Sequence, residues 1–359
     1  MSLCPGEDIL CLLGTDALDE AAFAAIKEHV ENCTRCSATL ERLALTERRP
    51  DAPRVLSGPE RWPCIPGFAI QRELGRGAMG VVYLAIRTHG LDRQVALKIL
   101  PSAVGAERSP GARRRWLREA RAIASLRHPN VVTLYDHGEA EGWFYLVLEY
   151  LPGRTLKQRL TGPLPPRVAA GLVKTIAHAV GYFHGRRLLH LDLKPSNILL
   201  DGADDAPWER VIPKVSDFGL ALSDGDAGPS ETSLAGIRGT PSYMAPEQAN
   251  ASPGQIGEAT DTHALGAILY ELLTGRPPFQ GATTVETLDQ IRGQEPVPPR
   301  RLNPKIPRDL ETITLKCLEK EPSRRYASAG ALAEDRVLPV SLPESSRGIC
   351  YGGGPHSGG

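Results

Sequence analysis

The glycine-rich run LGRGAMGVVYLA, residues 74–85, limits the possible folds of this chain more than any other feature. It places Gly75, Gly77 and Gly80 in a G-x-G-x-x-G pattern between two segments with the β-branched and apolar residues typical of strands. A dinucleotide-binding fold would need a helix directly after these glycines and an acidic residue about 20 positions further on. A second strand pattern follows instead, and Lys98 occupies that distance. The run predicts a strand, loop and strand whose backbone amides can approach phosphate oxygens, although a structural turn would also fit the run alone.

Lys98 lies within the apolar strand pattern VALKIL, residues 95–100. A lysine in such a place is costly unless a carboxylate or a phosphate meets it. Glu119, in the helical pattern WLREARAI, is a candidate partner for the lysine. Because that helix also carries several arginines, Glu119 taken alone fits a solvated helix face better than a buried ion pair.

Three further motifs follow in order: HLDLKPSN at residues 190–197, DFG at 217–219 and APE at 245–247. Together with the glycine run and Lys98, they have the order and approximate spacing of the protein-kinase motifs. Chance agreement of all these features is negligible. From residue 67 to about residue 335 the chain therefore resembles the Hanks-type protein kinases, and it is most similar to their bacterial Ser/Thr branch.

The resemblance implies an α+β, bilobal protein-kinase fold with ATP bound between the lobes. Before this region, an Ala-rich helical pattern gives way to repeated Pro and Gly residues, which indicate a linker. The Gly- and Ser-rich carboxyl-terminal residues are typical of disordered segments. The predicted organisation is a helical zinc-binding module over 1–45, a linker over 46–66, a kinase domain over 67–335 with a β-rich N-lobe (67–150) and an α-rich C-lobe (151–335), and a disordered tail over 336–359.

The resemblance assigns the chemistry to a few side chains. Asp192 would orient the substrate hydroxyl and accept its proton, and Lys194 would neutralise the transferring phosphoryl group. Asn197 and Asp217 would bind two Mg²⁺ ions through oxygen, the donor atom that such a hard cation prefers. The implied activity is ATP- and Mg²⁺-dependent phosphoryl transfer to proteins. Lys194 and Thr240 are typical of kinases that act on Ser and Thr rather than Tyr.

The resemblance also implies an ATP site. The glycine run would cover the phosphates, while Lys98 would hold them and be fixed in turn by Glu119. Leu148 would close the back of the adenine pocket, and the backbone of residues 149–151, the hinge, would hydrogen-bond the base. The full set implied for the cofactor is Leu74, Gly75, Gly77, Gly80, Val82, Ala96, Lys98, Glu119, Leu148, Glu149, Leu151, Asn197, Leu199 and Asp217.

Two pairings and one departure follow from the same resemblance. Asp261 would bind the backbone of the catalytic loop, residues 190–197, and Glu247 would pair with Arg325. Leu191 departs from the family because many kinases have an arginine there, which a phosphate on the activation segment neutralises. We therefore expect an active enzyme whose turnover depends little on phosphorylation of the segment between DFG and APE.

Three functions fit these motifs. A pseudokinase that serves as a docking scaffold is the main alternative to an active Ser/Thr kinase. A kinase for small molecules is a weaker one, because such enzymes lack the APE element that shapes a protein-substrate groove. Degenerate kinases usually lose a catalytic residue, and the active enzyme is favoured because the following are all present: Lys98, Glu119, Asp192, Lys194, Asn197 and Asp217.

The amino-terminal segment has a separate pattern, HVENCTRC, which spaces His29, Cys33 and Cys36 as H-x3-C-x2-C. His29 and Cys33 lie one helical turn apart and share a face, and Cys36 follows where the helix should end. Cys4 is the first candidate for a fourth ligand, and Cys11 is its substitute. The segment resembles the zinc-binding region of anti-sigma factors, which implies a structural Zn²⁺ and a protein partner. A helix with two incidental thiols is the alternative.

Composition narrows the class of protein. Lys and Arg total 42, as do Asp and Glu, so the formal net charge is zero and nucleic acid is not an expected partner. No apolar run reaches the ~18 residues of a membrane span, and the amino terminus lacks a signal-peptide pattern. The odd number of cysteines, seven, favours reduced thiols or a metal over a disulfide framework. We expect a bacterial, cytoplasmic signalling protein.

Overall fold

The computed structural model describes His29 and Cys33 near the amino terminus and most of the chain between residues 63 and 335. The described ranges there are 63–77, 80–88, 92–100, 117–118, 120–140, 143–217, 241–250, 252 and 255–335. The chain divides after Arg61 into two units. The predicted zinc module, apart from His29 and Cys33, and the predicted tail therefore lie outside the described residues.

The second unit begins with a five-stranded antiparallel sheet in the order β1-β2-β3-β5-β4. Most of the strands follow segments rich in β-branched, aromatic and other apolar residues. Residues 134–140, LYDHGEA, are mostly polar, and their sequence pattern does not predict the strand found there. Their bounds are Phe68–Gly77 (β1), Gly80–Arg87 (β2), Arg93–Leu100 (β3), Leu134–Ala140 (β4) and Trp143–Glu149 (β5).

Strand register decides which side chains of this sheet project together. Val82 lies opposite Lys98, and Leu148 lies opposite Ala96. Because directly paired residues and residues two apart share a face, these four side chains project from one face of the sheet. A separate buried cluster lies on the other face and consists of Ile65, Tyr83, Ala85, Val95, Leu97, Ile99 and Val147.

The rest of the second unit is mainly helical, with one small two-stranded sheet. In the described part of the chain, none of the helices combines the length and the apolarity that a membrane span requires. The bounds are Leu156–Arg159 (α1), Pro166–His184 (α2), Ile198–Asp201 (β6), Ile212–Val215 (β7), Pro246–Ala249 (α3), Glu258–Thr274 (α4), Thr284–Gly293 (α5), Pro299–Leu302 (α6), Arg308–Cys317 (α7) and Ala329–Ala333 (α8).

Helix α4 is the centre of this helical part. Every residue from Thr260 to Leu273 is buried, and the helix packs against α2 and α7. It ends at Gly275, whose φ of 80° is the left-handed conformation that glycine adopts readily just after a helix. Asp261, in the first turn, is fully buried and therefore needs polar partners.

The connection between β6 and β7 is a surface loop. Most of residues 202–210 are exposed. The Arg154 Nε donates to the Asp204 Oδ2 at 3.0 Å, and the Arg159 guanidinium lies 4.3 Å from the centre of the Trp208 ring. These two arginines, in α1 and just before it, attach the loop to the body of the domain.

Candidate active site

An ion pair joins the five-stranded sheet to the residues that follow β7. The Lys98 Nζ lies 2.8 Å from the Asp217 Oδ1, although 119 residues separate them in sequence. Lys98 is 8% exposed in the middle of β3. Burial by itself raises the pKa of Asp217, but the charge of Lys98 and its hydrogen bond hold that pKa below its ordinary value. Asp217 is therefore ionised, and its carboxylate faces Lys98.

The backbone of Asp217 is in the left-handed region, with φ 55°. This region is uncommon for residues other than glycine, and Asp and Asn enter it more easily than most. The conformation is strained and persists because surrounding contacts, including the one to Lys98, hold it.

Asp192 is contacted by two donors from its own loop. The Lys194 Nζ lies 2.8 Å from each of the two Asp192 carboxylate oxygens. The Asn197 Nδ2 donates to the Asp192 carbonyl oxygen at 2.8 Å and to its Oδ2 at 3.0 Å. Since the nitrogen of the Asn197 amide is used here, its Oδ1 is the atom left to bind a cation. The structure thus brings together the three residues predicted as catalytic.

Asp261 holds the backbone of the catalytic loop, as predicted. Its Oδ2 accepts from the His190 N–H and its Oδ1 accepts from the Leu191 N–H, both at 2.8 Å. The His184 Nε2 lies 2.8 Å from the same Oδ2. His184 is the last residue of α2, and nothing in its local sequence marks it as part of this network.

His190 connects the catalytic loop to the residue before Asp217. Its Nε2 lies 2.9 Å from the Ser216 carbonyl oxygen, and its Nδ1 lies 3.3 Å from the Asp192 backbone nitrogen. Because the Asp192 N–H donates to Nδ1, the hydrogen-bond pattern assigns the ring proton to Nε2. One buried ring therefore relates the positions of Asp192 and Asp217.

Known proteins share this arrangement of sequence and fold. A family model described as protein kinase domain matches residues 68–336. The chain belongs to the protein kinase family. It is 38% identical over 271 residues to the serine/threonine-protein kinase PrkC of Bacillus subtilis, with 75% of this chain and 40% of that protein covered. It is 37% identical over 282 residues to the serine/threonine-protein kinase PknB of Mycobacterium leprae, with 76% and 43% covered.

Solved kinase structures match the same region. The PknI kinase domain of Mycobacterium tuberculosis has a TM-score of 0.57 and 28% identity, covering 76% of this chain and 95% of that one. A structure of Rad53 in complex with AMP-PNP has a TM-score of 0.59 and 27% identity, covering 74% and 64%. The predicted kinase fold, with a β-sheet N-lobe and a helical C-lobe, is confirmed. The chain spans about two fifths of the length of the curated relatives above.

A pocket lies next to the Lys98–Asp217 pair, between the N-lobe sheet and the residues that follow β7. Three of the predicted cofactor residues line it, namely Lys98, Leu148 and Asp217. Two of the other lining residues are local neighbours of these, since Leu146 shares β5 with Leu148 and Ser216 directly precedes Asp217. The rest lie between residues 123 and 134, and no local motif indicates that they meet the predicted ones. Among the described residues, the lining consists of Lys98, Ile123, Val132, Leu134, Leu146, Leu148, Ser216 and Asp217.

The other apolar residues predicted for the cofactor are not among the residues that line that pocket. Val82 and Ala96 project from the same sheet face as Lys98. The remaining three are half-buried: Leu74 lies in β1, Leu151 just after β5, and Leu199 in β6.

Glu149 begins the predicted hinge and is held by its side chain. The Lys214 Nζ lies 2.6 Å from the Glu149 Oε1, and the Thr133 N–H donates to its Oε2 at 3.2 Å. The Glu149 N–H also donates to the Thr133 carbonyl oxygen at 2.8 Å. These contacts fix the start of the hinge against β7, in which Lys214 lies.

The three glycines of the run differ in what the structure requires of them. Gly80 has φ 128°, and a Cβ there would lie 2.1 Å from the Ile99 carbonyl oxygen. In the described part of the chain, no atom lies within 4 Å of the place that a Cβ on Gly75 or Gly77 would take. Gly80 is therefore required for the turn into β2, whereas no described neighbour requires a glycine at Gly75 or Gly77.

We expect the variant Gly80→Ala to lose about 1–3 kcal/mol of unfolding free energy, because its Cβ meets backbone and its φ is strained. Gly77→Ala is the matched control and should change that free energy by less than about 1 kcal/mol. Urea unfolding of both variants measures the difference. Equal losses in the two variants would contradict this assignment.

A buried ion pair anchors the APE motif, as predicted. The Arg325 Nη1 lies 2.7 Å from the Glu247 Oε1, and its Nη2 lies 2.8 Å from the Oε2. The Thr260 hydroxyl donates to the same Oε1 at 2.8 Å. The two charged side chains are no more than 1% exposed. This bidentate pair connects α3 to the residues that precede α8.

Several predicted features lie outside the described residues: Glu119, the segment 218–240 with Thr240, and Cys4 and Cys36. The pairing of Lys98 with Glu119 therefore stays a prediction. It also stays a prediction that turnover depends little on phosphorylation of the activation segment. Measuring the turnover of the dephosphorylated enzyme would test this. Within the described part of the chain, no group of three or more His, Cys, Asp or Glu side chains is arranged to hold a metal.

Proposed function

We propose that this chain is a bacterial protein kinase that transfers the terminal phosphoryl group of ATP to serine and threonine hydroxyls of proteins. The observation that carries the proposal is the contact of the Asp192 carboxylate with Lys194 and Asn197, joined through His190 to the residue before Asp217. The names of PrkC and PknB, and the AMP-PNP bound in the Rad53 structure, support the same activity and cofactor.

Asp192 would act on the substrate hydroxyl. Its side chain is 32% exposed, so a hydroxyl can reach a carboxylate whose orientation is set by Asn197. The carboxylate would accept the hydroxyl proton as the oxygen forms its bond to phosphorus. Lys194 would supply positive charge next to that reaction, where charge stabilisation and positioning do nearly all the work.

Asn197 and Asp217 fit the Mg²⁺ that such a kinase requires. One offers an amide oxygen and the other an ionised carboxylate, and Mg²⁺ prefers oxygen donors of this kind. Bound there, the ion would neutralise charge on the nucleotide phosphates. Lys98, on the sheet face above, would hold the phosphates from the N-lobe side together with amides of the glycine run.

The alternative is a pseudokinase that only docks partners. Five of the six residues in the catalytic set lie within the described chain, and all five make contacts suited to catalysis, as given above for Lys98, Asp192, Lys194, Asn197 and Asp217. A scaffold has no need for this arrangement. The enzyme is therefore the better interpretation.

The decisive experiment compares the full-length chain with its Asp192→Asn variant. Each is incubated with labelled ATP, Mg²⁺ and a bacterial lysate, and the modified residues are identified by mass spectrometry. We expect phosphoserine and phosphothreonine, with a rate at least about 100-fold lower for the variant, because the loss of a general base typically costs that much. Equal labelling by the two proteins, or phosphotyrosine alone, would refute the proposal.

We further propose that residues 1–45 hold one structural Zn²⁺ through His29, Cys33, Cys36 and Cys4, and recruit a protein partner in the cytoplasm. The spacing of the ligands and the helical position of His29, one turn before Cys33, support this. The protein partner is inferred from the resemblance to anti-sigma factors. The cytoplasmic location is inferred from the need for ATP, which the cytoplasm supplies.

Metal analysis of the full-length chain tests the zinc proposal. We expect about one Zn²⁺ per chain, lost in Cys33→Ser, because a structural site with an incomplete thiolate set binds poorly. Cys64→Ser is the matched control, since this exposed thiol lies outside the predicted set. Less than about a tenth of an equivalent in the parent would rule out the site.

A further inference from the structure

Gln248 lies in α3 and contacts the catalytic loop, 57 residues away in sequence. Its Nε2 donates to the carbonyl oxygen of Leu191 at 2.9 Å. Its Oε1 accepts from the backbone N–H of Ala245 at 3.0 Å. Both polar atoms of the side-chain amide are therefore used, one on the APE motif and one next to Asp192.

Leu191 is a place where such a contact matters. Its φ is 62°, a left-handed conformation that is strained for a residue with a β-carbon. Its N–H donates to the Asp261 Oδ1 at 2.8 Å, and its carbonyl oxygen accepts from Gln248. Side chains from α4 and α3 thus hold both polar groups of a strained residue.

The carbonyl oxygen of Leu191 and the N–H of Asp192 belong to the same planar peptide unit. Gln248 binds this unit at its oxygen, and the His190 Nδ1 binds it at its nitrogen, 3.3 Å away. Rotation of the unit would break both contacts and would change the direction in which the Asp192 side chain leaves the backbone. Gln248 is one of the two side chains that prevent this rotation.

We propose that Gln248 is a positioning residue for phosphoryl transfer. It keeps Leu191 in its strained conformation and thereby holds the Asp192 carboxylate in the orientation that accepts the substrate proton. This inference deepens the proposed function and rests on it. Gln248 touches no reacting atom, and its effect passes through the Leu191–Asp192 peptide. Because α3 directly follows residues 241–245, a shift of that segment would also be transmitted to Asp192 by this one side chain.

The first test is the variant Gln248→Glu. It retains the length of the side chain and an oxygen that can accept from Ala245, but it replaces the donor to Leu191 by a second oxygen that the carbonyl repels. Gln290→Glu is the matched control for added charge, because the Gln290 Oε1 also accepts a backbone N–H, from Gln280, in an exposed part of α5. Steady-state kinetics with a protein substrate and the melting temperature are measured for both.

We expect Gln248→Glu to lower kcat by about tenfold or more, with the KM for ATP within about twofold of the parent, since transition-state alignment is lost and nucleotide binding is not. The melting temperature should change little, and Gln290→Glu should match the parent. In a Leu191→Gly background the loss of kcat should shrink to about threefold or less, because glycine adopts the left-handed conformation without strain and needs less support there.

Three results would overturn the inference: a Gln248→Glu enzyme as fast as an active parent, a rise of the KM for ATP that accounts for the whole loss, or an equal loss in the Leu191→Gly background. A parent without phosphoryl transfer would instead overturn the proposed function. Amide hydrogen exchange separates the two cases, because Gln248→Glu should speed exchange at Leu191 and Asp192 whether or not the chain is active. Unchanged exchange there would also count against Gln248.

Discussion

Replacement of Asp217 by asparagine is expected to lower kcat by about a thousandfold or more, roughly 4 kcal/mol of transition-state stabilisation, while leaving the fold intact. The substitution removes the charge that pairs with Lys98 and that would bind Mg²⁺. Asparagine is a sharper choice than alanine because Asp217 has φ 55°, and asparagine tolerates this conformation better. Turnover with a protein substrate and thermal unfolding would be measured together.

The matched control for Asp217→Asn is Asp204→Asn, which removes an acid from an exposed ion pair with Arg154 on the loop between β6 and β7. Its turnover should equal that of the parent. Turnover of Asp217→Asn within about tenfold of the parent would rule out an essential role for this carboxylate. A large fall in its melting temperature would show that the carboxylate serves mainly to hold the lobes.

Loss of the Arg325 guanidinium should have the largest effect on stability. The variant Arg325→Met leaves the Glu247 carboxylate buried without its partner, which costs roughly 3–5 kcal/mol. For a domain of this size, that corresponds to a fall of roughly 10 °C in melting temperature. Arg154→Met is the control, because its exposed pair with Asp204 should contribute no more than about 1 kcal/mol.

The same ion pair gives a pH dependence with a definite sign. Burial raises the pKa of Glu247, but the hydrogen bonds and charge of Arg325 outweigh it and lower the pKa below its ordinary value. The stabilisation is therefore fully present above the unfolded pKa of about 4.3 and is lost as the pH falls through the folded value. In Arg325→Met burial acts on the carboxyl without the opposing guanidinium, so the variant recovers stability as Glu247 takes up a proton, and the gap in unfolding free energy between the parent and the variant should shrink steadily as the pH is lowered. A constant gap from neutral pH to about pH 3 would contradict this.

The family and most of the charged residues of the site follow from short motifs in the sequence. The glycine run, Lys98, the catalytic loop and Asp217 each lie in a short motif, so their order along the chain suffices to identify them. The strand and helix patterns also separate a β-rich N-lobe from an α-rich C-lobe, because period-two and period-3.6 patterns are local properties of sequence. Even the Glu247–Arg325 pair, 78 residues apart, was available through the resemblance.

How those residues are held depends on contacts that form only when the chain packs. The contacts of His184 with Asp261 and of Gln248 with Leu191 join elements that no local pattern relates. The same is true of the left-handed backbone at Leu191, which contradicts the ordinary preference of leucine. A local pattern records which face of an element is apolar, whereas a strained φ exists only because buried partners from α3 and α4 stabilise it after the chain has packed.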